Sequence, residues 1–128
     1  MTGTTSRGQV AAAISNAIVG IHAKYYGKGP TRAKTYLVDD TVICVMQDVF
    51  TTVEHTLIDA GKGEMVRDVR NTFQYALRRE FQGAVRELTG RNPRAFLSQV
   101  DWDADVGVEV FVLEEEVTDV TQEDGGAP

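Results

Sequence analysis

The turn Gly27-Lys28-Gly29-Pro30 is flanked by Lys28, Arg32 and Lys34. Backbone N–H groups in a glycine turn, set beside basic side chains, can cradle an anion such as a phosphate. In a phosphate-binding loop the glycine-lysine pair follows a strand and opens a helix, whereas here the glycines close a helix and open a strand. The turn therefore has two readings, a helix stop or an anion and partner contact made by Tyr26, Gly27, Lys28, Gly29, Pro30 and Arg32. Arg67, Asn71, Gln74 and Arg78 recur along one flank of a helical pattern and could line a groove for an anionic ligand, with Arg67 and Arg78 its cations. Glu64, Asp68, Glu80 and Glu87 interleave with them, which is the composition of a solvated face.

Asp101, Asp103 and Asp105 alternate like the start of a calcium loop. The position that needs glycine holds Val106, and the position that needs a bidentate glutamate holds Val112, so no metal site is expected. His22 and His55 have no cysteine or second histidine at ligand spacing, and the single cysteine, Cys44, lies in an apolar run. No Ser/His/Asp or Cys/His constellation can be assembled, so neither a catalytic residue nor a cofactor is expected. Trp102 and Tyr25 read as core edges or interface residues.

These side chains must be held by an alternation of helices and hairpins. Ser6 and Gln9 have capping-box spacing, and Val10, Ile14, Ala17, Ile18, Ile21 and Tyr25 mark one helical face that ends at the Gly27–Pro30 turn. Two β-rich runs follow, 33–38 and 41–50, joined by Asp39-Asp40, a pair suited to a tight hairpin turn that would place a second contact point beside the first. The second run is apolar at both parities, which predicts a central strand covered on both faces. Thr51 and Glu54 repeat the capping box ahead of a short helix, 52–59, and one long helix is predicted over 64–89. Its core face would be Val66, Val69, Phe73, Ala76, Leu77, Ala84 and Leu88, with Gly90 as the stop. A second hairpin, 94–102 and 106–113, places Val106, Val108, Val110 and Val112 on one face and Phe111 and Leu113 on the other. The order α-ββ-αα-ββ gives an α+β fold, a four-stranded and mostly antiparallel sheet packed against helices.

The chain is one domain by length, 128 residues with 42% hydrophobic content. Its net charge of −6 is uneven: Glu114, Glu115, Glu116, Asp119, Glu123 and Asp124 fall in 114–128 with no basic residue, so residues 1–113 are balanced. A neutral body excludes the strong positive field of a nucleic-acid binder, and 114–128 reads as an acidic, disordered tail. No run approaches the roughly 20 apolar residues of a membrane span, and the N-terminus lacks a signal-peptide core. With one cysteine no internal disulfide can form, which fits a reducing cytoplasm. Sheet edges and the long helix are surfaces through which a homodimer could form.

The pattern Gly8 with Ile14-Ser15-Asn16-Ala17-Ile18, then Tyr26-Gly27-Lys28-Gly29-Pro30, then Thr35-Tyr36 with Asp39-Asp40 and Val42-Ile43, resembles the MpsC-like family, and so does Leu88-Thr89-Gly90 before a valine-rich hairpin. That family is named after the soluble third component of a sodium-translocating, membrane-potential-generating system. The resemblance spans about residues 8–113. Members often carry arginine where this chain has Lys28, an exchange that keeps the charge and loses the planar fork. The resemblance implies a small cytoplasmic accessory protein with a protein partner, working beside membrane proteins that move ions or inorganic carbon, and it brings no catalytic residue. A small-anion or nucleotide-binding regulatory module is the alternative.

Overall fold

The computed structural model describes residues 4–114 and 120–121. Strand β1 (Thr4–Thr5) precedes helix α1 (Arg7–Tyr26), the hairpin β2 (Arg32–Val38) and β3 (Thr41–Gln47), then helices α2 (Thr52–Asp59), α3 (Gly63–Ala76) and α4 (Arg78–Thr89). The hairpin β4 (Pro93–Asp101) and β5 (Val106–Leu113) and a short β6 (Val120–Thr121) complete the order. All pairings in the four-stranded sheet are antiparallel, in the order β2-β3-β5-β4, so each hairpin supplies one central strand and one edge strand. The predicted α+β class is the one observed. Most of the predicted tail lies outside the described residues; Val120 and Thr121 pair with Thr5 and Thr4.

Both predicted capping boxes are present, Ser6 with Gln9 on α1 and Thr51 with Glu54 on α2. Gly27 closes α1 in the left-handed conformation (φ 82°), a region that glycine enters without a Cβ penalty. The strand expected to run to residue 50 stops at Gln47, because Asp48 takes a positive φ of 57° and turns the chain. Val49 and Phe50 then drop into the core.

All four helices pack on one side of the sheet. The core joins Val10, Ile14 and Ile18 of α1, Val66 of α3 and Phe81 and Val85 of α4 to Val42, Met46, Phe111 and Leu113 of the sheet, with Leu57 and Ile58 of α2 against it. The opposite face of β3 and β5 is only half-buried, so the expectation of a central strand covered on both faces is corrected: helices cover one face alone.

The helix predicted over 64–89 is divided at Leu77 into α3 and α4. Leu77 still receives a backbone bond from Phe81 and donates one to Phe73, so the break is a change of direction that needs neither proline nor glycine. Beyond it α4 packs on α1, while α3 packs on α2. The division comes with a second correction. Gly63, Val66, Arg70 and Gln74 are the buried positions of α3, one per turn, whereas Val69 and Phe73 are 47% and 39% exposed. The helix has turned its charged and amide groups inward and its apolar stripe outward.

Candidate functional site

A single rung of the sheet explains why α3 is turned this way. Thr35, Cys44, Glu109 and Ser98 are successive partners across β2, β3, β5 and β4, and directly paired residues share one face of a sheet. On this rung the covered face is polar from edge to edge. Glu109 is fully buried at its centre, on the same parity of β5 as Phe111 and Leu113.

The helices meet this rung with matching groups. From α1, Ser15 Oγ lies 2.7 Å from Thr35 Oγ1, and His22 Nε2 lies 2.9 Å from Glu109 Oε2. From α3, the Gln74 amide donates to Glu109 Oε2 and, at 2.8 Å, to Ser98 Oγ. The Tyr26 hydroxyl donates to Gln74 Oε1 at 2.9 Å, and its ring stacks on His22 with centroids 5.3 Å apart. One turn before Gln74, the buried Arg70 holds Glu54 through Nε and Nη2, both at 2.7 Å, and donates to the Val49 carbonyl at 2.7 Å. Its guanidinium carbon lies 3.8 Å from the centre of the Tyr26 ring. A continuous polar chain therefore runs from Glu54 through Arg70, Tyr26 and Gln74 to Glu109 and His22.

Burying charge is costly unless it is paired and hydrogen-bonded. Glu54 satisfies both conditions: burial pushes its carboxyl up, but the Arg70 bonds and charge and the Thr51 N–H outweigh this and hold it below its usual range. Burial is also the largest effect on Tyr26. Opposed by the Arg70 charge and reinforced by Glu109 and Glu54, it pushes the phenol up to about 12 and keeps it a neutral donor. Cys44 is pushed up to about 11, again mainly by burial, so its thiol is an inert rung member and not a nucleophile. At the other end of the chain His22 Nδ1 and Glu109 Oε1 are buried with no hydrogen-bond partner among the described residues. Beside the polar chain lies a cleft of about 320 Å³ between α3 and β4, lined by Asn71, Gln74, Tyr75, Arg78, Phe96, Ser98 and Gln99. Gln74 and Ser98 belong to both the cleft and the polar chain.

The residues singled out in the sequence are dispersed. Tyr26 is inside the polar chain. Gly29 sits against α1, where an added Cβ would lie 3.0 Å from the Val19 carbonyl oxygen, and Pro30 is buried. Lys28 donates to the Asp48 carbonyl and Thr31 to the Asp48 carboxylate, so this turn is laced to the end of β3. Arg32 is exposed at the start of β2. Asp39 and Asp40 lie at the far end of the same strand, about 20 Å away at the usual rise of an extended chain. Asp40 receives the Leu113 N–H on its carbonyl and lies 3.8 Å from Arg94. Arg67 covers the Trp102 ring at 5.0 Å, and Arg78 covers Tyr75 at 5.2 Å beside the cleft.

The three aspartates near the second hairpin hold the chain itself. Asp101 accepts the Asp103 and Ala104 amides, and Asp105 accepts those of Val49 and Phe50 and faces His55 Nε2 at 3.1 Å. Among the described residues no group of His, Cys, Asp and Glu could hold a metal ion, and no helix is long and apolar enough to cross a membrane.

Sequence reading missed His22, Arg70, Gln74 and Glu109 as a group. Each had a signal: Glu109 shares the parity of two core residues, Arg70 and Gln74 follow Val66 at four-residue steps, and His22 follows Ile14 and Ile18 in the same way. Among known proteins, a family model described as Na+-translocating membrane potential-generating system (MpsC) matches residues 6–115. No curated protein and no solved structure matches the chain.

Proposed function

We propose a function from one premise: the chain belongs to the MpsC family, whose match takes in nearly all of the described residues. The family's description ties it to a Na+-translocating, membrane-potential-generating system. In this reading the protein is a non-enzymatic, cytoplasmic accessory component that docks on an integral-membrane subunit moving ions. The observation that supports docking is the inverted packing of α3. Met65, Val69 and Phe73, at four-residue steps, form an apolar stripe on its outer side, where Met65 is 51% exposed. Such spacing is the pattern by which a helix enters a partner's groove, while the polar chain beneath fixes the helix in this orientation.

The test is affinity capture from native membranes with the wild type, a Met65→Asp/Val69→Asp variant and a Lys28→Glu/Arg32→Glu variant. The wild type is expected to recover an integral-membrane ion-transport subunit, and the α3 variant to lose it while keeping the wild-type circular dichroism. Recovery of the same proteins by the α3 variant, or of no transport subunit by the wild type, refutes the proposal.

A second reading is favoured by the α3–β4 cleft, where Arg78 stands beside the amides of Asn71 and Gln74 and could take a small anion or the phosphate of a nucleotide. A thermal-shift screen separates it from docking. A ligand at one hundred times its Kd adds about 2.7 kcal/mol of stability, and no shift with any anion or nucleotide removes this reading.

A further inference from the structure

The sheet face turned away from the helices is apolar at its centre and oppositely charged at two edges. Its middle rung runs Tyr36, Ile43, Val110, Leu97 from β2 to β4, with Val45 paired to Val108 on the next. Tyr36 and Leu97 are 45% and 58% exposed. The end rung runs Arg32, Gln47, Val106, Asp101, so a cation stands on the β2 edge level with an anion on the β4 edge.

We propose that this face packs against the same face of a second copy of the chain, about a two-fold axis that lies between the sheets and runs parallel to the strands, between β3 and β5. That axis carries the β2 edge of one copy over the β4 edge of the other without changing level along the strands. Arg32 then meets Asp101 of the second copy, and Tyr36 meets its Leu97. Ile43 meets Val110, and Val45 meets Val108. The Arg32–Asp101 contact forms twice, as an isologous interface requires.

The alternative face-to-face axis, perpendicular to the strands, would place Arg32 over Val38 and Asp101 over Ala95. Charge complementarity therefore selects the first arrangement and its register. Aligned sheets pack in this way with an apolar layer between them. Four strands of seven to nine residues present roughly 19 by 25 Å, so two copies cover on the order of 1,000 Å², the lower bound of a specific interface. This face is separate from the α3 stripe, so dimerisation and membrane docking stand or fall independently.

Sedimentation velocity across the micromolar range tests the proposal. The wild type is expected at twice the chain mass of 14.0 kDa. Arg32→Asp places like charges against each other and weakens self-association by about tenfold or more. Asp101→Arg added to Arg32→Asp restores the attraction with its sign reversed and recovers the dimer. Arg32 and Asp101 are three strands apart within one copy, so an intramolecular effect cannot produce that recovery. Because the Asp101 carboxylate also caps the hairpin turn, Asp101→Asn, which keeps an acceptor and removes the charge, serves as a fold-preserving second variant expected to weaken the dimer more mildly. A wild type that stays at the chain mass, or an Arg32→Asp variant that dimerises as the wild type does, overturns the proposal.

Discussion

The two faces of the sheet differ in where their polar groups lie: the covered face sets one buried polar rung among the core residues Val42, Met46, Phe111 and Leu113, while the bare face is apolar at its centre. The face covered by helices carries Thr35, Cys44, Glu109 and Ser98 on one rung, whereas the bare face carries Ile43, Val45, Val108 and Val110 at its centre. Helix α3 shows the same contrast, with Arg70 and Gln74 inside beside Val66 and with Met65 and Val69 outside. The difference teaches that buried polar groups fix positions through their hydrogen bonds, and it leaves the exposed apolar groups as the surfaces on which the two proposed contacts rest. A hydrogen-bonded chain specifies one orientation of α3 and one register of the sheet, which leaves two apolar surfaces pointing outward.

The largest expected break in this contrast comes from the covered side. Arg70→Ala strands the Glu54 carboxylate and the Val49 carbonyl, and removing one partner of a buried ion pair costs about 3–5 kcal/mol. Chemical denaturation should show the loss in full. Next comes Glu109→Leu, which leaves the His22 and Gln74 donors without their acceptor at about 1–3 kcal/mol. Adding His22→Phe should recover part of it, and an additive double-mutant cycle would mean that the two side chains are not coupled. Of similar size is Gly63→Ala, whose Cβ would fall 2.7 Å from the Trp102 ring; it should cost about 1–3 kcal/mol and shift the tryptophan emission as Trp102 is driven off Arg67.

The pH dependence should follow the covered side as well. The folded Glu54 carboxyl titrates below its unfolded value of 4.5, so its stabilisation is present above that pH and is lost as the pH falls through the folded value. Tyr26 moves the other way, from 10.0 to about 12, so its contribution is complete below pH 10 and lost as the pH rises toward 12. Denaturant midpoints measured against pH should show both limbs, and Tyr26→Phe should flatten the alkaline one. The smallest folding effect belongs to the bare face: Leu97→Thr, at an exposed position, should stay within about 0.5 kcal/mol by the same denaturation.

Much of this fold could be read from short-range signals. The capping boxes at Ser6 and Thr51, the glycine stops at Gly27 and Gly90 and the alternation of the valine strand set the elements and the α+β class. The break at Leu77 carries no glycine or proline and depends on which neighbours each half of the helix meets, which is a long-range fact. For the same reason local periodicity points to the wrong inward face of α3: Val69 and Phe73 are the stronger apolar pattern, but Arg70 and Gln74 find Glu54 and Glu109, 16 and 35 residues away in the chain. Of the candidate site residues, Tyr26 and Gln74 join the polar chain. The Gly27–Arg32 turn is conspicuous locally for its glycines and lysine, but no local pattern reveals that Lys28 and Thr31 bond to Asp48.

Carbene footprinting of the wild type across a dilution series tests the central claim most directly, that the bare sheet face is a contact surface and the covered polar face a fixed interior. Labelling of Tyr36, Ile43, Val108 and Leu97 should rise together as the protein is diluted, while His22, Arg70 and Glu109 stay protected throughout. Concentration-independent labelling of the sheet face, or labelling of the His22–Glu109 pair at any concentration, would contradict it.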